Sequence, residues 1–190
     1  MSERDTVIRS MHDLGLATWF GGSLMGAVGL NGAAAAAQDP QERTRLSNLG
    51  WKKWAPLQAA ALVAHGVAGA ALIAQNKGRL ATQEGVGGAT TSKALITVVG
   101  AGVTAYSRVL GKKIEKLSDE GAQGATEPRP DASPELASAQ KQLKVIQWVI
   151  PALAGTVVVL GAKHGEMQRP QNVKKGMLES LPFVGKAVRR

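Results

Sequence analysis

Cysteine is absent from the 190 residues, which excludes disulfides, thiol catalysis and thiolate metal sites. Aromatic residues make up only 4% of the chain, poor material for a sheet protein. The scarcity also counts against a nucleic-acid surface, which interleaves aromatics with basic residues or lines the basic residues along one helix face. Acidic residues number 14 against 23 Lys and Arg, giving a net charge of +9. Those cations flank apolar blocks instead of forming a stripe. The N-terminal MSERDTVIRSM is short and mixed in charge, and no A-x-A cleavage pattern follows a short apolar core, so nothing resembles a cleavable signal peptide. No nucleophile stands at a recognisable spacing from a base, and no acidic metal cluster or phosphate loop is present. GVGG at 85–88 is Gly-rich but follows no strand.

What the chain does contain is four apolar blocks. The organising one is 13–37, without charge after Asp13 and long enough to cross a hydrocarbon core, which takes about 20 residues. Its glycines, Gly15, Gly22, Gly26 and Gly29, share one helix face where a neighbouring backbone can approach closely. The second block, 54–75, has Pro56 in its expected first turn and His65 at its middle. Trp51, Trp54, Lys52 and Lys53 precede it as an expected interfacial anchor. The third, 94–110, is just short of a full span, with Lys93 and Arg108 placed to snorkel to opposite interfaces. The fourth, 145–162, contains Pro151 and is expected to kink there.

The connecting segments are charged, which explains a mean hydropathy of only −0.05. Asp39–Pro40 reads as a helix stop before a loop over 38–53, with a short surface turn at Glu42, Arg43, Arg45 and Leu46. A second loop is expected over 76–93. The stretch EPRPDASP reads as a flexible loop, after which Ser133 caps a helix beginning with Pro134.

The expected fold is therefore all-α: an integral membrane four-helix bundle over residues 1–165, with a polar loop between its third and fourth helices. A basic amphipathic tail, 166–190, follows. Lys174, Lys175, Lys186, Arg189 and Arg190 of that tail suit an anionic lipid surface. Positive charge is nearly balanced between the two sides, and the basic tail favours both termini in the cytoplasm, with the chain in the cell membrane.

Two histidines carry the chemistry that remains. Ionisable groups at membrane depth are costly and are functional candidates. His12 and His65 together would suit axial ligation of a haem. Counted from the block ends, however, His12 is near an interface and His65 near the midplane, a mismatch of about 10–15 Å at the helical rise. The alternative is that His65 bonds a Ser, Thr or Gln of a neighbouring helix. Asn31, Gln58 and Gln147 are expected in ordinary interhelical hydrogen bonds.

His12, Trp19, Gly21 and Gly22 read H-x6-W-x-G-G. In this the first helix resembles the copper-resistance-D-like superfamily and related small four-helix membrane families. The resemblance covers roughly the first 25 residues and implies a four-helix membrane architecture. It also implies haem, porphyrin or copper handling, with His12 as ligand or proton carrier. No Met-rich or second His motif completes a copper site.

The function expected from these features is that of a non-catalytic accessory subunit of a larger bacterial membrane complex. Its partners would be other membrane subunits and anionic lipids, not nucleic acid, and no cofactor is required. One rival is a haem-, quinone- or metal-handling membrane protein using His12 and His65. The other is a soluble, basic helical nucleic-acid-binding protein.

Overall fold

The computed structural model describes residues 3–78 and 86–166. The cations assigned above to lipid headgroups, from Lys174 to Arg190, lie outside the described residues, as do residues 79–85 of the second loop. Among the described residues the structure is helical, without strands. Helix α1 (Glu3–Met25) passes through a π turn (Gly26–Leu30) into the short α2 (Asn31–Ala35). Helices α3 (Pro40–Gln75), α4 (Val86–Lys116) and α5 (Pro134–Glu166) follow.

Each long helix packs on its sequence neighbours, and α5 closes back on α1. Contacts fix the directions. Gly15 meets Ala61 and His65, Gly22 meets Trp54, and Gly26 meets Trp51, so α1 and α3 are antiparallel. Tyr106 bonds Gln142 and Lys113 pairs with Glu135, which sets α4 against α5 in the same manner. Asn31 to Gln147 and Gly155 to Phe20 do so for α5 and the rod of α1 and α2.

Among the described residues three helices are long and apolar enough to cross a membrane, within Pro40–Gln75, Gly87–Lys116 and Pro134–Lys163. Helix α1 is not among them. Its first half is charged and its α-helical pattern stops at Met25, where the π turn adds a residue to the turn. That turn rotates the chain beyond it, and Asn31 and Ala34 of α2 are buried.

Several boundaries differ from the sequence reading. Asp39–Pro40 starts a helix as well as ending one: Gln41 N donates to Asp39 Oδ1 at 2.8 Å, and Pro40 occupies the first turn. Helix α3 therefore includes the segment expected to be a loop, and Pro56 lies in its interior. Helix α4 begins at Val86, so residues 86–93 are helical and the third block sits within a longer rod. Ser133 does cap α5, accepting from Leu136 N at 3.2 Å.

The segment from Leu117 to Ser133, which includes most of the EPRPDASP stretch expected to be a flexible loop, is folded over one end of the helices, with Ala122, Ala125 and Thr126 buried. Arg43 holds it. Its guanidinium donates to the carbonyls of Ala37 at 2.6 Å, Gln38 at 3.3 Å and Gln123 at 2.8 Å. Ala122 N donates to Pro40 O at 3.0 Å, and Ser133 N donates to Glu120 Oε2 at 2.7 Å. Gly121, with φ of 72°, makes the turn that brings this segment onto Pro40. Within the same segment the Arg129 guanidinium forks onto Asp131 and holds that carboxyl below its ordinary range.

Candidate functional site

The interior carries polar groups at three levels. Nearest the closed end, Asn31 is a hub: it donates from Nδ2 to Gln147 Oε1 at 2.7 Å. Its Oδ1 accepts from Ser47 Oγ at 3.0 Å and from Trp51 Nε1 at 2.9 Å. Gln58 donates to Ser23 Oγ at 3.1 Å beside it. A cavity of about 60 Å³ lies among these groups, between Asn31, Ser47, Gln58 and Arg108. In the middle Trp19, with 0% of its surface exposed, donates from Nε1 to Thr104 Oγ1 at 3.2 Å. Gly100 makes room for that indole; a Cβ there would stand 2.5 Å from Trp19 Cη2. Around Trp19 the interior is aliphatic: Leu16, Ile150, Ala154 and Val157.

At the open end the two histidines meet. Their ring centroids are 4.0 Å apart, with planes tilted by 48°. The depth mismatch inferred from the sequence is therefore overturned. Helix α1 begins at Glu3, so His12 lies nine positions inside it, while His65 lies ten before Gln75 on the antiparallel α3. Counting both from the starts of their apolar blocks misses that the second runs the other way. Gly15 permits the approach: a Cβ there would be 2.6 Å from Ala61 O and 2.8 Å from His65 N.

The hydrogen bonds assign the protons. His65 Nδ1 lies 3.0 Å from His12 O, and because a carbonyl only accepts, Nδ1 carries the hydrogen. Nε2 of this 3% exposed residue then holds a lone pair, with no protein donor to it among the described residues. The partner of His65 is thus a backbone carbonyl, not the Ser, Thr or Gln expected. His12 Nδ1 faces the exposed carboxylate of Asp13 at 3.1 Å.

Both rings line a cavity of about 670 Å³ where the four helices separate. Aliphatic groups such as Leu16, Val98 and Val157 form its walls, and Arg9, Asp13 and Lys93 also line it. That volume is within the range of small-molecule sites. Imidazoles in ring contact leave no gap for a porphyrin, so a haem clamped between His12 and His65 does not fit. Among the described residues no three His, Cys, Asp or Glu side chains group as a metal site.

The other sequence-derived residues have definite places. Gly22 and Gly26 lie under the indoles of Trp54 and Trp51, and Gly29 faces Met25 of its own helix, not a neighbour. Trp51 and Trp54 are half-buried against α1, and Lys52 Nζ is 2.8 Å from Glu115 Oε1 of α4. In the His12–Gly22 motif His12, Trp19 and Gly22 turn inward, whereas a Cβ on Gly21 would meet nothing within 4 Å. Arg43 and Thr104 do not stand out in the sequence; a lone arginine in a polar run carries no signal of the carbonyls it will gather. No family model, curated protein or solved structure matches the chain.

Proposed function

We propose that the chain is a multi-pass membrane protein, a four-helix bundle whose fourth span is the α1–α2 rod. It serves as a non-catalytic accessory subunit of a membrane complex, with the His12–His65 cavity as a binding site. One observation carries the membrane reading: along the apolar blocks the outward face is aliphatic, while polar side chains are sequestered inside. Large aliphatic side chains face outward along the apolar blocks, Val63 at 64%, Leu95 at 63% and Val159 at 68% exposure. Ser23, Asn31, Gln58, His65 and Thr104 are buried and hydrogen-bonded inside. Hydrocarbon tolerates the first and demands the second.

Length supports the same reading. At the helical rise α3 is about 54 Å long, against about 30 Å of hydrocarbon. Its charged first third and the Leu117–Ser133 segment would form a polar head outside the bilayer, suited to docking other subunits. The resemblance of the His12–Gly22 helix to copper-resistance-D-like proteins agrees with a four-span architecture in the cell membrane.

Carbonate washing of membranes, followed by mild-detergent co-purification, tests the proposal. Retention in the washed membrane and a reproducible membrane-protein partner are expected. Release by carbonate would overturn the membrane reading. Retention without any partner would overturn the accessory role.

A further inference from the structure

We propose that the cavity between the four helices binds a hydroquinone-type ring, with a hydroxyl donating to His65 Nε2 and the opposite oxygen facing Lys93. This inference rests on reading the His12–His65 cavity as a binding site. It adds the chemical class of the ligand.

The floor of the cavity sets the first requirement. His65 is buried, and its Nδ1 hydrogen is committed to His12 O at 3.0 Å. The nitrogen left over, Nε2, is an acceptor, and Leu16 and Val157 line the same cavity as His65. A ligand must bring a hydrogen-bond donor to that point or leave a buried lone pair unsatisfied, which costs affinity. A carboxylate is unsuitable there, since its charge would face a lone pair in an apolar surround. An alkyl chain is unsuitable for the opposite reason, as it offers no donor. An aromatic hydroxyl is a good donor on an apolar body.

The cations set the second requirement. Lys93 and Arg9 line the same cavity, with Asp13 as the acidic group there. An oxygen at the other end of the ligand can accept from Lys93. A ring with oxygens at para positions meets both requirements, and its edges and substituents would lie on the aliphatic walls. The cavity's size of about 670 Å³ admits such a ring with a short side chain. His12, in contact with His65, lines the cavity as well.

The test uses full-length protein in detergent micelles and a decyl-substituted dimethoxy-methyl hydroquinone kept reduced under argon. Its dimethyl ether, which has no hydroxyl hydrogens, and decanoate serve as controls. Calorimetric titration should show saturable binding of the hydroquinone, with both controls weaker by about tenfold or more, the effect of one lost hydrogen bond in a buried site. His65→Leu should abolish the preference for hydroquinone over its ether. Gly161→Leu should block all binding, because Gly161 lines the cavity and a Cβ there meets nothing within 4 Å, so the side chain enters free space. Should His65→Leu fail to fold, the ether comparison and Gly161→Leu decide the matter alone. Equal binding of the hydroquinone and its ether, or binding undiminished in Gly161→Leu, would overturn the proposal. Carbonate retention is scored separately: a membrane-retained chain that ignores the hydroquinone refutes the ligand and leaves the membrane reading intact.

Discussion

The glycines of α1 look equivalent in the sequence and are not equivalent in space. At Gly15 an added methyl would meet backbone atoms of Ala61 and His65, which move only if the helices separate. At Gly26 it would meet the Trp51 indole, which is tied to Asn31 by a 2.9 Å hydrogen bond and cannot swing away freely. At Gly29 it would meet the thioether of Met25, the flexible end of a side chain on the same helix. Gly15→Ala and Gly26→Ala should therefore each destabilise the protein by about 1–3 kcal/mol, the usual cost of overpacking. Gly29→Ala should change stability little. Thermal unfolding in one detergent ranks the three. If Gly29→Ala proves as damaging as Gly15→Ala, closeness of backbone is not what these positions report. Spacing alone makes one face of the four glycines; what each faces is not legible, because Trp51, Trp54 and Met25 determine it from outside the pattern.

At the scale of elements, the apolar blocks are legible because a nearly charge-free run of about 20 residues matches the length that a membrane span requires. Their ends are not. The signal Asp39–Pro40 is visible in the sequence and points two ways: it stops one helix, and an Asp cap followed by Pro in the first turn also starts the next. The run Glu42 to Arg45 is polar because it would lie beyond the bilayer, and polarity there says nothing against helix. The Leu117–Ser133 segment is obscure for a related reason: its Pro and Gly residues mark a turn-rich path, while its order comes from carbonyls gathered by Arg43 some 80 positions away. Arg43→Met should release this segment. Proteolysis by endoproteinase Glu-C at Glu120–Gly121 should accelerate, with the helices intact by circular dichroism. Unchanged cleavage after Glu120 would mean that Ala122 to Pro40 and Ser133 to Glu120 hold the segment without the arginine. Helix α4 invites a second test at this scale. Single cysteines at Val99 or Val103 should resist a membrane-impermeant maleimide, and one at Lys112 should react. Ready labelling at 99 would remove α4 from the set of spans.

For the whole molecule, the decisive property is which side of the fold is apolar, and it yields opposite expectations in the two solvents. Val63 on α3 and Val159 on α5 are 64% and 68% exposed, and neither lines the large cavity. If water surrounds the protein, replacing either by lysine alters a solvated surface, where changes stay within about 0.5 kcal/mol and added charge favours solubility. If hydrocarbon surrounds it, each lysine lies inside a span, the one at 63 near the middle of its block and the one at 159 in the last turn of its own. At the middle a lysine opposes insertion by about 2.5–3.5 kcal/mol on the translocon scale, and toward an end, where it can snorkel, by less. The double variant Val63→Lys, Val159→Lys should then lose most of its membrane-inserted yield, while Leu49→Lys should be tolerated, because Leu49 lies in the polar first third of α3. Quantifying carbonate-resistant protein for the parent and both variants reads the answer. A double variant that accumulates as a soluble, folded helical protein would mean that the outward valines face water, and the membrane assignment would fall with them.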